Sequence, residues 1–207
     1  MSSVKVKFCG ITREEDIKKA IELGVDYVGF IMYPKSPRWV GWEKLKNLLR
    51  LSEGVKKVVV FVNPSYQEVE KALSMGADLV QLHGEESFEF AKGVGLERVI
   101  KAFRVIDNFS VAEDWKGAHA ILLDTYSEKA YGGTGESFDW TIAQSVVNMG
   151  FRVFLSGGLK KENVQKAIKI VRPYGVDVSS GIESSPGIKD HKKMEEFIHA
   201  VKNALKD

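Results

Sequence analysis

Short apolar, β-branched runs alternate with longer amphipathic stretches eight times along this chain, and no other feature restricts its fold as much. The runs predicted as strands are Val4–Phe8, Tyr27–Ile31, Val58–Val62, Leu79–Leu82, Val99–Ala102, Ala120–Leu123, Val153–Leu155 and Val176–Val178. Apolar residues three and four apart, as in Ile17, Ala20 and Ile21 or Val69, Ala72 and Leu73, mark the helical stretches. They predict helices over Arg13–Leu23, Trp42–Leu51, Ser65–Ser74, Glu86–Val94, Trp140–Met149, Asn163–Val171 and His191–Leu205, with a weaker one near Val111–Trp115. The strands are mostly apolar on both faces, as expected when helices cover a parallel sheet from both sides.

The turns narrow the choice. Strands two, four, six and eight are entered through Gly24-Val-Asp, Gly76-Ala-Asp, Gly117-Ala-His and Gly175-Val-Asp. Strands three, five and seven are entered through Gly54-Val-Lys-Lys, Gly95-Leu-Glu-Arg and Gly150-Phe-Arg. Glycine is an ordinary helix stop, but it does not explain why the residues after it alternate. A closed barrel, whose interior is layered from odd and even strands, favours such a two-unit repeat. An open doubly wound sheet has no such requirement, and no Gly-x-Gly-x-x-Gly follows the first strand. The chain is therefore read as α/β, a single-domain (β/α)8 TIM barrel over residues 1–207, without an internal linker.

Composition excludes several classes of function. Charged residues make up 28% and apolar ones 44% of the 207 residues, with a net charge of only +2, and the lysines are interleaved with Glu and Asp. That pattern reads as solvated helix faces; neither a basic patch with stacking aromatics nor a nucleic-acid-binding module is present. No apolar stretch is long enough for a membrane span or a secretory leader, and a single cysteine suits a reducing compartment. The expectation is a cytoplasmic protein that handles a small molecule, with no nucleic-acid or membrane partner, as a monomer or homodimer.

In a parallel barrel the residues following each strand collect at one mouth. In order these are Cys9, the loop Tyr33-Pro-Lys-Ser-Pro-Arg38, Asn63, His83, Asp124, Ser156-Gly-Gly158 and Asp177-Val-Ser-Ser-Gly181. Cys9 stands at a strand end before a glycine, where a thiol is either packed or reactive. Asp124 ends an apolar strand, and a carboxyl beside a low-dielectric core is favoured in its protonated form, which suits a general acid. Strand six lies three steps from strand one around a closed barrel, so Asp124 and Cys9 face one another across the mouth, a pairing suited to general acid–base chemistry.

Gly157, Gly158, Ser180 and Gly181 follow strands seven and eight, where small residues let backbone N–H groups approach a phosphate; Gly133 is a possible third contributor. Arg38, on a proline-stiffened loop, is placed to meet a ligand carboxylate, with a plain surface arginine as the alternative. His83 is either a ligand contact or a hydrogen-bonded support behind one. Thr125–Ser137 is long and glycine-hinged, as lids are. Cys9, His83, Asp124 and Asp177 could in principle assemble around a metal, but no His-x-His or Cys-x-x-Cys pair supports that, and no metal is expected.

Taken together, Lys7-Phe-Cys-Gly-Ile-Thr, Tyr33–Arg38, Phe61-Val-Asn, Gln81-Leu-His-Gly-Glu85, Leu122-Leu-Asp-Thr125, Tyr131-Gly-Gly-Thr-Gly135, Phe138-Asp-Trp140, Leu155-Ser-Gly-Gly-Leu159 and Val176–Glu183 resemble the motif set of the phosphoribosylanthranilate isomerases of tryptophan biosynthesis. The resemblance is in order and covers essentially the whole chain. It implies an Amadori rearrangement of N-(5-phosphoribosyl)anthranilate to 1-(2-carboxyphenylamino)-1-deoxyribulose 5-phosphate, without a cofactor. It further implies that Asp124 protonates the ribose ring oxygen, that Cys9 as thiolate removes the C2 proton, and that Arg38 holds the anthranilate end. The phosphate falls to the loops after strands seven and eight, and Asp177 to a substrate contact near the reacting atoms.

Trp39, where the family often has tyrosine, is a small departure at the pocket wall. Three alternatives stand beside this one. A related sugar-phosphate isomerase of histidine biosynthesis would carry an aspartate at the position of Cys9. A non-catalytic phosphate-binding barrel would have no use for Cys9, Asp124 and Arg38 together, and a metal-dependent lyase would need the strand-end cluster as ligands. A thiol of ordinary pKa is mostly protonated at neutral pH, so Cys9 needs a nearby positive charge; Lys7 shares its face by strand alternation.

Overall fold

The computed structural model describes residues 4–105, 109–124 and 140–206. Eight parallel strands, β1 (Lys5–Phe8), β2 (Tyr27–Ile31), β3 (Lys56–Phe61), β4 (Leu79–Leu82), β5 (Val99–Arg104), β6 (Ala120–Asp124), β7 (Val153–Ser156) and β8 (Gly175–Val178), close into a barrel in sequence order. Around it lie α1 (Glu14–Glu22), α2 (Gly41–Leu51), α3 (Tyr66–Ser74), α4 (Phe88–Val94), α5 (Trp140–Asn148), α6 (Val164–Val171) and α7 (His191–Ala204). A small hairpin of β9 (Glu183–Ser185) and β10 (Ile188–Lys189) follows β8. The expected barrel and its eight strands are present, with β3 and β5 extended by two residues at one end.

The weak helix expected near Val111–Trp115 is a short 3-10 helix over Glu113–Gly117. A single tight turn suffices there because its task is to seat Trp115 edge-on against Phe88 and Phe103, at ring distances of 5.2 and 5.6 Å. Elsewhere helix starts follow local capping: Ser65 and Glu68 form a reciprocal capping box on α3, and Ser87 and Asp190 cap α4 and α7.

Strand alternation separates two apolar cores. Val28, Phe30, Val59, Val80, Ile121, Leu123, Val153, Val176 and their neighbours face the helices. Tyr27, Val58, Leu79, Ile100, Ala102, Ala120, Leu122 and Phe154 form a second cluster inside the barrel. The inner face turns polar toward the carboxyl ends of the strands, where Lys7, Gln81 and Asp177 are buried.

The alternating turns have a physical cause at two places. Asp26, before β2, accepts the backbone N–H of Val6 at 2.9 Å, and Asp78, before β4, accepts that of Lys57 at 2.8 Å. Each aspartate thus satisfies the open edge at the start of the preceding strand. Before β6 the position is His119, which meets the Tyr27 hydroxyl at 3.2 Å; that hydroxyl also lies 2.8 Å from the hydroxyl of Tyr174.

The repeat breaks at the eighth unit. Gly24 and Gly76 lie in helix-ending turns at φ 72° and 102°, whereas Gly175 is already inside β8 with the Phe154 ring against its α-carbon. Asp177 therefore belongs to the barrel interior and is not the counterpart of Asp26.

The sequence pattern predicts lysines on solvated faces, and three depart from it. Lys7, Lys101 and Lys189 are buried, each against a carboxylate. No helix among the described residues is long and apolar enough to cross a membrane.

Candidate active site

Cys9 follows β1 directly, its N–H bound to the Val178 carbonyl at 2.9 Å, and Gly10 after it is left-handed with φ 73°. That turn lets the stem of Arg38 lie across the backbone: a Cβ on Gly10 would come within 2.6 Å of the Arg38 Cδ. Arg38 and Cys9 are thus neighbours at the mouth. Arg38 is already engaged, giving Nε to Glu183 Oε1 at 2.8 Å and Nη2 to Oε2 at 2.6 Å. Trp39, next in sequence, is half exposed, and its strand-like bridge to Ile31 ties this loop to the end of β2.

Three cations surround the thiol. Lys7 is fully buried with its Nζ 2.6 Å from Asp177 Oδ1. Lys189 donates to the Cys9 carbonyl at 2.6 Å and to Glu183 Oε1 at 2.9 Å. Burial pushes the Cys9 thiol above its ordinary value and the Asp177 charge adds to the rise, while Lys7 and Lys189 pull it down. Burial works against the Lys7 ammonium, but Asp177 and Cys9 hold its value above that of a free lysine. Lys189 falls below the ordinary lysine value because burial outweighs the support of Glu183.

Asp124 closes β6 in register with Ser156 of β7, at the same end of the barrel as Cys9 and three strands away through β8 and β7. Its Oδ2 lies 3.8 Å from His83 Nε2. The other ring nitrogen of His83, Nδ1, is 2.9 Å from the Gln81 amide nitrogen.

Asp177, expected to touch substrate, has both oxygens held by protein: Oδ1 by Lys7 and Oδ2 by the Ser156 hydroxyl at 2.9 Å. Among the described residues no group of three His, Cys, Asp or Glu side chains is placed to hold a metal ion, so Cys9, His83, Asp124 and Asp177 do not gather as ligands.

The loops after β7 and β8 meet. Gly157 and Gly158 are both left-handed, at φ 96° and 65°, and Ser180 opens a single 3-10 turn. A side chain on Gly181 would run into the Leu159 carbonyl, so only a bare α-carbon lets the two loops close-pack. Gly133 and the segment Thr125–Ser137 lie outside the described residues.

Three groups escaped the sequence: Lys189, described above, Glu183 and Lys101. Glu183 ends a motif singled out for its serines and glycine, yet it binds both Arg38 and Lys189. Lys101 sits on the helix-facing side of β5, bonds the Gly84 carbonyl at 2.6 Å and Glu86 at 2.8 Å, and so braces the loop that follows His83. A lysine inside the apolar run Val99-Ile-Lys-Ala was the available signal for it.

Comparison with known proteins identifies the family. Residues 6–200 match the family described as N-(5'phosphoribosyl)anthranilate (PRA) isomerase. The N-(5'-phosphoribosyl)anthranilate isomerase of Aquifex aeolicus is 52% identical over 202 residues, covering 97% of this chain and 99% of that protein. The crystal structure of phosphoribosyl anthranilate isomerase from Thermotoga maritima superposes with a TM-score of 0.84 at 41% identity, covering 97% of this chain and 99% of that one. A second solved isomerase, in complex with reduced 1-(o-carboxyphenylamino)-1-deoxyribulose 5-phosphate, is 38% identical with a TM-score of 0.82, covering 97% of this chain and 99% of that one. The match runs from the first strand into the last helix: this chain belongs to the N-(5'-phosphoribosyl)anthranilate isomerase family.

Proposed function

We propose that Cys9 and Asp124 are the base and the acid of the rearrangement of N-(5'-phosphoribosyl)anthranilate to 1-(2-carboxyphenylamino)-1-deoxyribulose 5-phosphate, a step of tryptophan biosynthesis. The observation that carries this assignment is their placement at one end of one closed barrel, three strands apart, in a chain of this family. Asp124 gives its proton to the ribose ring oxygen as the C1–O bond breaks, which opens the sugar to a Schiff base. Cys9 as thiolate takes the proton from C2, and the enolamine tautomerises to the ketone. Protons move within one molecule and no electrons leave it, so the reaction uses no cofactor.

Arg38 meets the anthranilate carboxylate while Glu183 holds its guanidinium in plane. Gly157, Gly158, Ser180 and Gly181 take the phosphate, with Gly133 as a further contributor. His83 faces Asp124 and orients it or the sugar. Asp177 acts through Lys7, near the reacting atoms, before it acts on substrate. Every group in this scheme comes from one chain, so a monomer suffices; the compartment assigned is the cytoplasm, in keeping with a chain in which no described helix is long and apolar enough to cross a membrane. The test is the loss of substrate fluorescence on adding purified protein: turnover is expected, and well-folded protein without turnover overturns the proposal.

A further inference from the structure

Gly29 stands on the inner face of β2, beside Cys9 of the neighbouring strand. A Cβ there would lie 2.9 Å from the Cys9 Sγ, 3.2 Å from the Lys7 Nζ and 3.3 Å from the Cys9 Cα. Its backbone is not left-handed, so conformation does not call for glycine at this position; the space does. Sulfur and ammonium share that space. The Lys7 Nζ is fixed by Asp177 at 2.6 Å, and Asp177 in turn by the Ser156 hydroxyl at 2.9 Å.

We infer that Lys7 is the counter-ion of the Cys9 thiolate, aimed by Asp177 and Ser156 and admitted to the sulfur by the bare α-carbon of Gly29. Lys7 and Gly29 are positioning residues for the base, and the inference rests on Cys9 being that base. The charges facing Cys9 among the described residues are Lys7 from β1, Lys189 from β10, Arg38 from the loop after β2, Asp177 from β8 and Glu183 from β9. Three cations face two carboxylates, and a thiolate cancels the remaining positive charge. That remaining positive charge favours the thiolate and works against burial, which favours the neutral thiol. Burial and Asp177 still hold the thiol above its ordinary value in the free protein, so the strength of the Lys7 contact sets how much thiolate is present.

The test reads the thiol without turnover, through the pH dependence of Cys9 alkylation by iodoacetamide in the full-length protein. Lys7→Met is expected to slow alkylation at neutral pH about tenfold and to move the rising limb of the kcat–pH profile upward, with KM little changed. Gly29→Ala, which puts a methyl group 2.9 Å from the sulfur and 3.2 Å from the ammonium, is expected to act in the same direction by a smaller factor. If Lys7→Met does not fold, Gly29→Ala decides. An alkylation profile identical to that of the parent protein, in whichever folded variant is measured, overturns the inference. Full turnover by Cys9→Ala, with the alkylation shift still present in the Lys7 variant, would instead overturn the role of Cys9 as base and leave the counter-ion standing.

Discussion

Arg38 and Glu183 bind each other through two parallel hydrogen bonds, 2.8 and 2.6 Å long, beside a lysine that also holds the Cys9 backbone. One carboxylate therefore links the arginine assigned to the substrate carboxylate with the residue assigned to proton removal. The hairpin that carries Glu183 and Lys189 is the strut between the two, and its geometry rather than Arg38 alone sets where the guanidinium points.

Glu183→Gln removes that carboxylate's charge and leaves two largely buried cations underpaired. It is expected to cost about 3 kcal/mol of stability in urea titrations, since breaking a buried pair strands its partners. In the folded variant KM is expected to rise more than kcat falls, because Arg38 loses its orientation while Cys9 and Asp124 remain. Unchanged stability and KM would remove Glu183 from the site.

Cys9→Ala and Asp124→Asn are each expected to lower kcat by about a thousandfold, the usual scale for losing a general acid or base. KM should stay close to that of the parent protein, because neither group is assigned to binding. Steady-state kinetics on both variants check this, and near-full rate in either one removes its role.

Lys101→Met strands Glu86 in a buried pocket and is expected to destabilise the protein by about 3 kcal/mol, measured by denaturant unfolding. Adding Glu86→Leu removes the unpaired charge but also the acceptor of the Asn63 and Gly84 N–H groups, so it should recover only part of that loss. A double variant less stable than the sum of the single changes would show that the pair does not act as a unit.

His119 gives the stability a pH dependence. Burial first, then the charges of Lys56 and Arg152, push its ring down to about 4 from 6.5. The unfolded chain takes up a proton in that window and the folded one does not, so stability rises with pH there. The contribution of the neutral ring is complete above about pH 6.5 and is lost as pH falls toward 4. Because the ring is partly exposed, water screening limits it to about 1 kcal/mol. His119→Phe should flatten the fall in urea midpoint between pH 7 and 5 relative to the parent protein, and an equal fall in both would exclude His119 as its source.

Local pattern was enough for the architecture. Apolar spacing and helix-ending glycines act over a few residues, so the eight strands, their order and their mouth-facing ends, with Cys9, His83, Asp124 and Asp177, could be placed from the sequence. The alternation before the even strands was visible too, although its cause, a carboxylate bonding the preceding strand's N–H, appears only once Asp26 meets Val6.

What local pattern could not carry is which charges leave the water. Lys7 pairs with Asp177 across 170 residues, and Lys189 reaches the Cys9 carbonyl across 180. These contacts exist only because the barrel closes β8 onto β1 and the hairpin folds over that seam. Closure moves a lysine from an ordinary polar position into a low-dielectric interior, where its charge is tolerated only against a carboxylate. Hydrophobic periodicity decided the barrel; the seam decided the electrostatics of Cys9.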